Sequence, residues 1–216
     1  MPGTDGRVVV GPLRPFCRRE LQRDPVSAAR ALLNALLSCS GRLVRIVEVE
    51  AYEGSNDPAS HAFGGRTPRN ATMFAEAGHL YVYLSYGIHH CANVVCGPAG
   101  EAGAVLLRAA TPVAGLEGAD VAAGRLGADR LASGPGRLCR ALGITRAHDG
   151  IDLLDPGAAV RLWRDDLVPP RRALCDGRVG LSERCGDALY WPWRFVVPGA
   201  AAVSRPVPGR RARRPV

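Results

Sequence analysis

The alternation of apolar and polar positions is clearest over residues 42–52, RLVRIVEVEAY. A period of two puts Val47, Val49 and Ala51 on one face of a strand and Ile46, Glu48, Glu50 and Tyr52 on the other. One face turns to the core, and the other carries two carboxylates and an aromatic ring. Taken alone, that second face reads as a half-exposed strand edge with solvated acids. Over residues 79–95, HLYVYLSYGIHHCANVV, two runs rich in β-formers flank Tyr86-Gly87-Ile88 and predict a hairpin. Alternation sets Tyr81 and Tyr83 on one of its sides and Leu80, Val82, Leu84 and Tyr86 on the other. Its Tyr-Ile tip belongs either to an aromatic-rich core hairpin or to a protruding edge that some partner receives.

The remaining pattern predicts a helix opening at Pro25, with Asp24 as its N-cap and an apolar face from Ala28 to Leu37. A strand follows at 103–109, where Arg108 stands among apolar residues and needs a neighbouring carboxylate or a bound anion. Residues 113–143 predict two helical pieces separated by Ser133-Gly134-Pro135-Gly136. That turn feeds a helix with Arg137 in its first turn, an arrangement suited to a phosphate, although many helices begin so. Short strands are predicted at 151–154, 160–163, 178–182 and 193–197. The polar segment 53–74 is long for a loop in a compact domain. Its Gly64 to Asn70 portion offers backbone amides, two guanidinium groups and a hydroxyl, fit for phosphates or simply for a mobile surface. Residues 1–24 predict an irregular lead-in with a helical turn near Arg18. With no repeat or linker, residues 1–204 are expected to form one domain, and the Pro- and Arg-rich tail 205–216 to lack structure.

Charge sharpens this picture. The net charge is +8, and all 28 basic residues are arginine, whose planar fork suits an anionic polymer. Without lysine, no side-chain amine can form a Schiff base. Seven cysteines, an odd number with no CxxC pair, argue against a disulfide framework or a zinc ribbon. His89, His90, Cys91 and Cys96 look like metal ligands, but on a strand Cys91 points away from both His90 and Cys96. No metal and no cofactor are expected. No apolar run approaches the roughly 20 residues of a membrane span, and residues 1–10 lack a signal-peptide core. A soluble cytoplasmic protein is expected, nucleoid-associated in a bacterial cell. The phosphate-loop, GxGxxG and GxSxG signatures are absent.

The motifs in combination say more than any one of them. Glu50-Ala51-Tyr52 ends a strand, TPRNATMF spans 67–74, HLYVYLSYG leads into Asn93, VLLRA places Arg108, SGPGRLCRALGI follows, and RVGL spans 178–181. In this order, from about residue 12 to residue 204, the chain resembles the alkyladenine (3-methyladenine, or methylpurine) DNA glycosylase family. The resemblance implies a single mixed α+β domain, a curved antiparallel sheet flanked by helices, with the hairpin projecting into the DNA minor groove. It implies a monofunctional hydrolase acting as a monomer on double-stranded DNA that contains damaged purines, without metal or cofactor.

Roles follow residue by residue where the motifs match. Glu50 corresponds to the general base, Arg108 to a residue that helps hold the attacking water, and the Val179 carbonyl to a further contact. Tyr52, His61 and Tyr83 correspond to the rings around the flipped base, and Asn93 to the group that crowds the 2-amino group of guanine. Tyr86 corresponds to the intercalating tyrosine, with Ile88 and His89 beside it in the groove. Arg66, Thr67, Arg69 and Met73, with Ser133, Gly136 and Arg137, are the implied backbone contacts. Two departures matter: GGRTPRN is one residue shorter than in some relatives, and His89-His90 replaces a frequent aromatic pair. Glu48, on the same face as Glu50, is expected to be structural. A strand-cleaving glycosylase would need an amine; Pro2 could supply one, but no catalytic acid follows it. A lesion-binding protein without chemistry explains the hairpin and the arginines, though not Glu50.

Overall fold

The computed structural model describes residues 10–116 and 127–204. Its elements run in the order β1 (Arg14–Pro15), α1 (Pro25–Leu32), β2 (Leu36–Cys39), β3 (Arg42–Glu53), β4 (Leu80–Ser85), β5 (His89–Val95), β6 (Gly103–Ala114), α2 (Pro135–Leu142), β7 (Val160–Arg164), β8 (Leu174–Asp176) and β9 (Arg194–Val196), with short 3-10 turns between them. All strands join one antiparallel sheet in the order β1-β7-β2-β3-β6-β5-β4. Beyond the end of β2, the free edge of β3 is taken by β9, which in turn pairs with β8. This is the expected mixed α+β domain, built around β3.

The alternation along β3 is broken where the sequence could not show it. A register shift against β6 on either side of Glu48 inserts a bulge. Ile46 therefore joins Val49 and Ala51 in the main core, where alternation had set it with the acids. Val47 packs instead against Ala109 and Ala202. After the bulge, Glu48, Glu50 and Tyr52 share the face away from that core, as expected.

Asp24 caps α1 by accepting the Ser27 amide at 2.9 Å. The helix stops at Leu32, short of the expected Leu37. Leu33 is extended and Asn34 takes a φ of 64°, which reverses the chain, so Leu36 and Leu37 run as β2. A continuous apolar run fits a buried strand as well as a helix. Other expectations also shift. Residues 113–114 extend β6 and Ala128–Arg130 form a 3-10 turn, while 117–126 of the first helical piece and the tail 205–216 lie outside the described residues. In 151–154 only Asp152 forms a bridge, to His79. Residues 178–182 form no strand: the Val179 amide is spent on the Glu50 carboxylate, and the Arg178 side chain is held in a buried ion pair. The helix α2 and the strands at β7 and β9 stand where they were expected.

Both helices pack into one core, Ala28, Leu32, Leu138 and Leu142 meeting Val49, Val82, Val94 and Leu107, all fully buried. The opposite face is covered by the 53–74 segment, whose Ala62 and Met73 cluster with Tyr81, Val95 and Ala104 of the sheet. At the far end of β3, Arg45 and Asp165 form a buried two-point pair, at 3.1 and 2.6 Å. The Arg45 hydrogen bonds outweigh burial and hold the Asp165 carboxyl below its usual 3.8. Its contribution is therefore complete above pH 3.8 and is lost as pH falls through the lower folded value. Asp165→Asn is expected to cost about 1–3 kcal/mol at pH 7. In urea unfolding, the gap to wild type should close below pH 3.8; a gap independent of pH would contradict the pairing.

Candidate active site

The Glu50 carboxylate is fully buried, and three donors converge on it. The Tyr52 hydroxyl donates to Oε2 at 2.9 Å, Arg108 Nη1 to the same oxygen at 3.2 Å, and the Val179 amide to Oε1 at 2.6 Å. Val179 thus meets Glu50 through its N–H, while its carbonyl is the group expected to contact the attacking water. Tyr52, Arg108 and Val179 all line a cavity of about 500 Å³, so the carboxylate lies directly behind the cavity floor. That volume is within the range of small-molecule sites, about 300–1,000 Å³. The partner that Arg108 required is a carboxylate, indeed two, since its Nε also donates to Glu48 at 3.3 Å.

Glu48 is equally buried but differently held. Arg194 Nε donates to it at 2.7 Å, and the Ser204 amide and hydroxyl at 2.6 and 2.7 Å. The acids on one strand face thus divide. Glu50 takes its donors from the cavity wall, while Glu48 ties β3 to β9 and the segment that follows it.

The cavity walls are aromatic. His61 stands edge-on to Tyr83, with ring centroids 4.4 Å apart, and its Nδ1 lies 3.0 Å from the Tyr81 hydroxyl. Asn93 donates its amide to the Tyr81 carbonyl at 3.1 Å and more weakly to that of Cys91, which fixes it in the wall. Tyr52, His61, Tyr83 and Asn93, the four expected base-pocket residues, all line this one cavity. Burial, followed by the Arg69 charge, lowers the His61 pKa below 6.5, so the imidazole is neutral at neutral pH. Burial, then Glu50, raises the Tyr52 hydroxyl well above its usual range, and Tyr81 is pushed up to about 12. Both remain donors. Burial acts to lower the Arg108 pKa, but Glu50 and Glu48 more than offset it, and the guanidinium stays charged.

Tyr86 projects from the hairpin at 89% exposure and also lines the cavity; Ile88 beside it is 72% exposed. The Ile88 amide closes the turn on the Ser85 carbonyl at 3.0 Å, and both central residues have positive φ, Tyr86 at 50° and Gly87 at 71°. Glycine or asparagine ordinarily fills the first of these positions. A tyrosine there carries strain of order 1–3 kcal/mol, the kind of outlier kept where function requires the side chain. His89, at the base of the tip, lies against α2, where Gly136 makes room: a Cβ on Gly136 would come within 2.9 Å of the His89 Cβ.

Of the expected backbone contacts, Arg69 and Met73 line the cavity and Gly136 lies against His89 at the base of the hairpin tip. Arg66 and Arg69 present exposed guanidinium groups, Arg66 over the Phe74 ring. The Thr67 amide is spent on Asn70 Oδ1 at 2.7 Å. Met73 is buried beside the cavity, its amide on the Asn70 carbonyl at 2.9 Å. Ser133 is half-buried and bridges to Ala109, while Arg137 is exposed in the first turn of α2. Among the described residues, no cluster of His, Cys, Asp and Glu is placed to hold a metal, and Cys91 and Cys96 are buried and free.

Sequence reasoning missed two buried polar supports. Asn70 ties the 61–70 turn together through His61 and Gly65. Asp57 caps the turn after β3 and forms a two-point pair with fully buried Arg178, whose guanidinium lies 4.7 Å from the centre of the Tyr52 ring. Asp57 thus ties the segment to the Arg178 loop, and Asn70 closes its turn.

Comparison with known proteins matches residues 19–201 to the family model described as Methylpurine-DNA glycosylase. A protein of Frankia casuarinae is 49% identical over 200 residues, covering 88% of this chain and 92% of its own. One of Nocardia farcinica is 50% identical over 194 residues, covering 86% and 88%, and one of Burkholderia lata 46% over 195, covering 89% and 92%. All three carry the name "Putative 3-methyladenine DNA glycosylase".

Proposed function

Because the chain belongs to the methylpurine-DNA glycosylase family, and so is a base-excision-repair DNA glycosylase, we propose that it acts as a monomer by hydrolysing the bond between a damaged purine and its deoxyribose in the cavity above Glu50. The observation that carries this reading is a buried carboxylate whose three donors line an aromatic cavity, with an exposed tyrosine at its rim.

In this mechanism the damaged nucleotide leaves the stack, and its base lies among Tyr52, His61 and Tyr83. An electron-poor alkylated purine is attracted to such rings. Tyr86 wedges into the space left behind and offsets part of the unstacking cost, a few kcal/mol. Glu50 accepts a proton from a water as its oxygen attacks C1′; the N-glycosidic electron pair passes to the purine, cancelling the charge of an alkylated base. The carboxylate also stabilises the cationic sugar that develops, and Arg108 and Val179 hold it in place. Asn93, fixed by two carbonyls, rejects guanine by crowding its 2-amino group. With no lysine in the chain, the product is an intact strand with an abasic site.

Incubation with alkylated duplex DNA should release free purine without strand cleavage; binding without release would restore the lesion-binding alternative. That alternative is not favoured, since the relatives are named glycosylases and a carboxylate under the cavity adds nothing to DNA affinity. Tyr86→Ala should weaken binding to lesion-containing duplex about 5- to 150-fold, the equivalent of one stacked ring at 1–3 kcal/mol. Equal affinities in a titration would remove the wedge from the mechanism.

A further inference from the structure

The Arg178 guanidinium lies over the Tyr52 ring, 4.7 Å from its centre, and its side chain is fully buried. Tyr52 lines the cavity and Arg178 does not, so the cation occupies the face of the ring turned away from the expected base. It cannot swing aside. It donates to Asp57 Oδ1 at 2.8 Å and to the carbonyls of Ala51 and Ala188 at 2.9 and 3.3 Å. The Trp191 and Trp193 rings, centred 5.6 and 5.2 Å from it, close the box. At the Tyr52 hydroxyl, which burial and then Glu50 push upward, the charge of Arg178 acts in the opposite sense, so its field reaches the cavity wall. The cavity lining holds two further cations, Arg69 and Arg108, and among the described residues no carboxylate, since Glu50 lies behind the floor. A pocket built for cationic bases alone would gain from the reverse arrangement.

From this geometry we infer that Arg178 is a specificity-determining residue: by occupying the back of the Tyr52 ring, it narrows the margin by which the pocket favours a cationic purine over a neutral one. The inference rests on the glycosylase reading. An aromatic ring attracts a cation through the negative potential of its face. A cation on one face draws π density toward itself and adds its own positive potential across the thickness of the ring. The opposite face therefore holds a second cation less firmly. A neutral base loses little, because dispersion and buried area do not depend on its net charge. Asp57 balances the guanidinium as a whole, but the end of the pair that lies over the ring is the positive one. His61 and Tyr83 still attract a charged base, so it is accepted with a smaller advantage.

Two duplexes that differ by one charge make the test. One carries 7-methylguanine, cationic in mildly acid buffer, and the other its neutral isostere 7-methyl-7-deazaguanine, with carbon in place of N7. A 2′-fluorine on each sugar slows release, so equilibrium binding of the full chain can be read for both. The ratio of the two affinities cancels any general loss of DNA binding, which a purely structural role would cause. Asp57→Ala, Arg178→Met should raise the preference for the cationic duplex about 2- to 30-fold, the range of one cation–π contact. Arg178→Lys keeps a charge beside Asp57 and should hold the wild-type ratio. Asp57→Asn leaves the guanidinium unbalanced and should move the ratio the other way, which gives a reading of opposite sign if the charge-free variant does not fold. An unchanged ratio in a folded charge-free variant, an equal rise with Arg178→Lys, or a rise with Asp57→Asn would overturn the inference. Purine release by the wild-type protein from the 7-methylguanine duplex without fluorine tests the glycosylase reading separately.

Discussion

Glu50→Gln is expected to slow purine release about 10²- to 10⁴-fold, the span typical for loss of a general base, while lesion-containing DNA is still bound. The substitution keeps the size of the side chain but not its pattern of acceptors. Tyr52 and Arg108 donate to one carboxylate oxygen and Val179 to the other. An amide has a single acceptor oxygen, so in either orientation its NH₂ group faces a donor, Arg108 or the Val179 amide. The variant therefore loses the proton acceptor and leaves one buried donor unmatched, at about 1–3 kcal/mol of stability. Single-turnover release with excess enzyme, measured well below the variant's unfolding midpoint, separates the two effects. A rate within tenfold of wild type would remove Glu50 from the chemistry. Glu48→Gln is the informative comparison: apart from Arg108, its donors come from Arg194 and Ser204, so its loss should appear first in stability.

The parts of this site legible in the sequence are those set by short-range rules. A period of two placed Glu50 and Tyr52 on one strand face, and β-formers on either side of Tyr86-Gly87-Ile88 defined the hairpin and its tip. The cost of leaving a charge unpaired called for a carboxylate or a bound anion at Arg108, and the structure supplies the first. What stayed hidden depends on partners far away in the chain. Asp57 and Arg178 are 121 residues apart, and nothing in the polar segment around Asp57 announces a buried ion pair. The bulge at Glu48 belongs to the pairing with β6 rather than to β3 alone, so alternation misplaced Ile46. Leu36 and Leu37 continued an apolar run whose reversal depends on one left-handed residue, Asn34.

Removing the Asp57 carboxylate should have a comparably large effect, through architecture rather than chemistry. Asp57 and Arg178 are both fully buried, so Asp57→Ala leaves a guanidinium uncompensated, which costs about 3–5 kcal/mol. Arg178 also donates to the carbonyls of Ala51 and Ala188 and backs the Tyr52 ring. Its neighbour Val179 supplies the shortest bond to Glu50. One cation thus joins the strand bearing the acid, the ring expected under the base and the loop that orients the carboxylate. Unfolding by urea should show the stability loss, and release measured below the unfolding midpoint should show a rate loss as well. The double variant Asp57→Ala, Arg178→Met separates them, since removing both charges restores much of the stability. If Arg178 positions the Val179 loop, release stays slow in that stable double variant. Recovery of the wild-type rate would show that the pair supports the fold alone, and a single variant within 1 kcal/mol of wild type would contradict the burial of the pair.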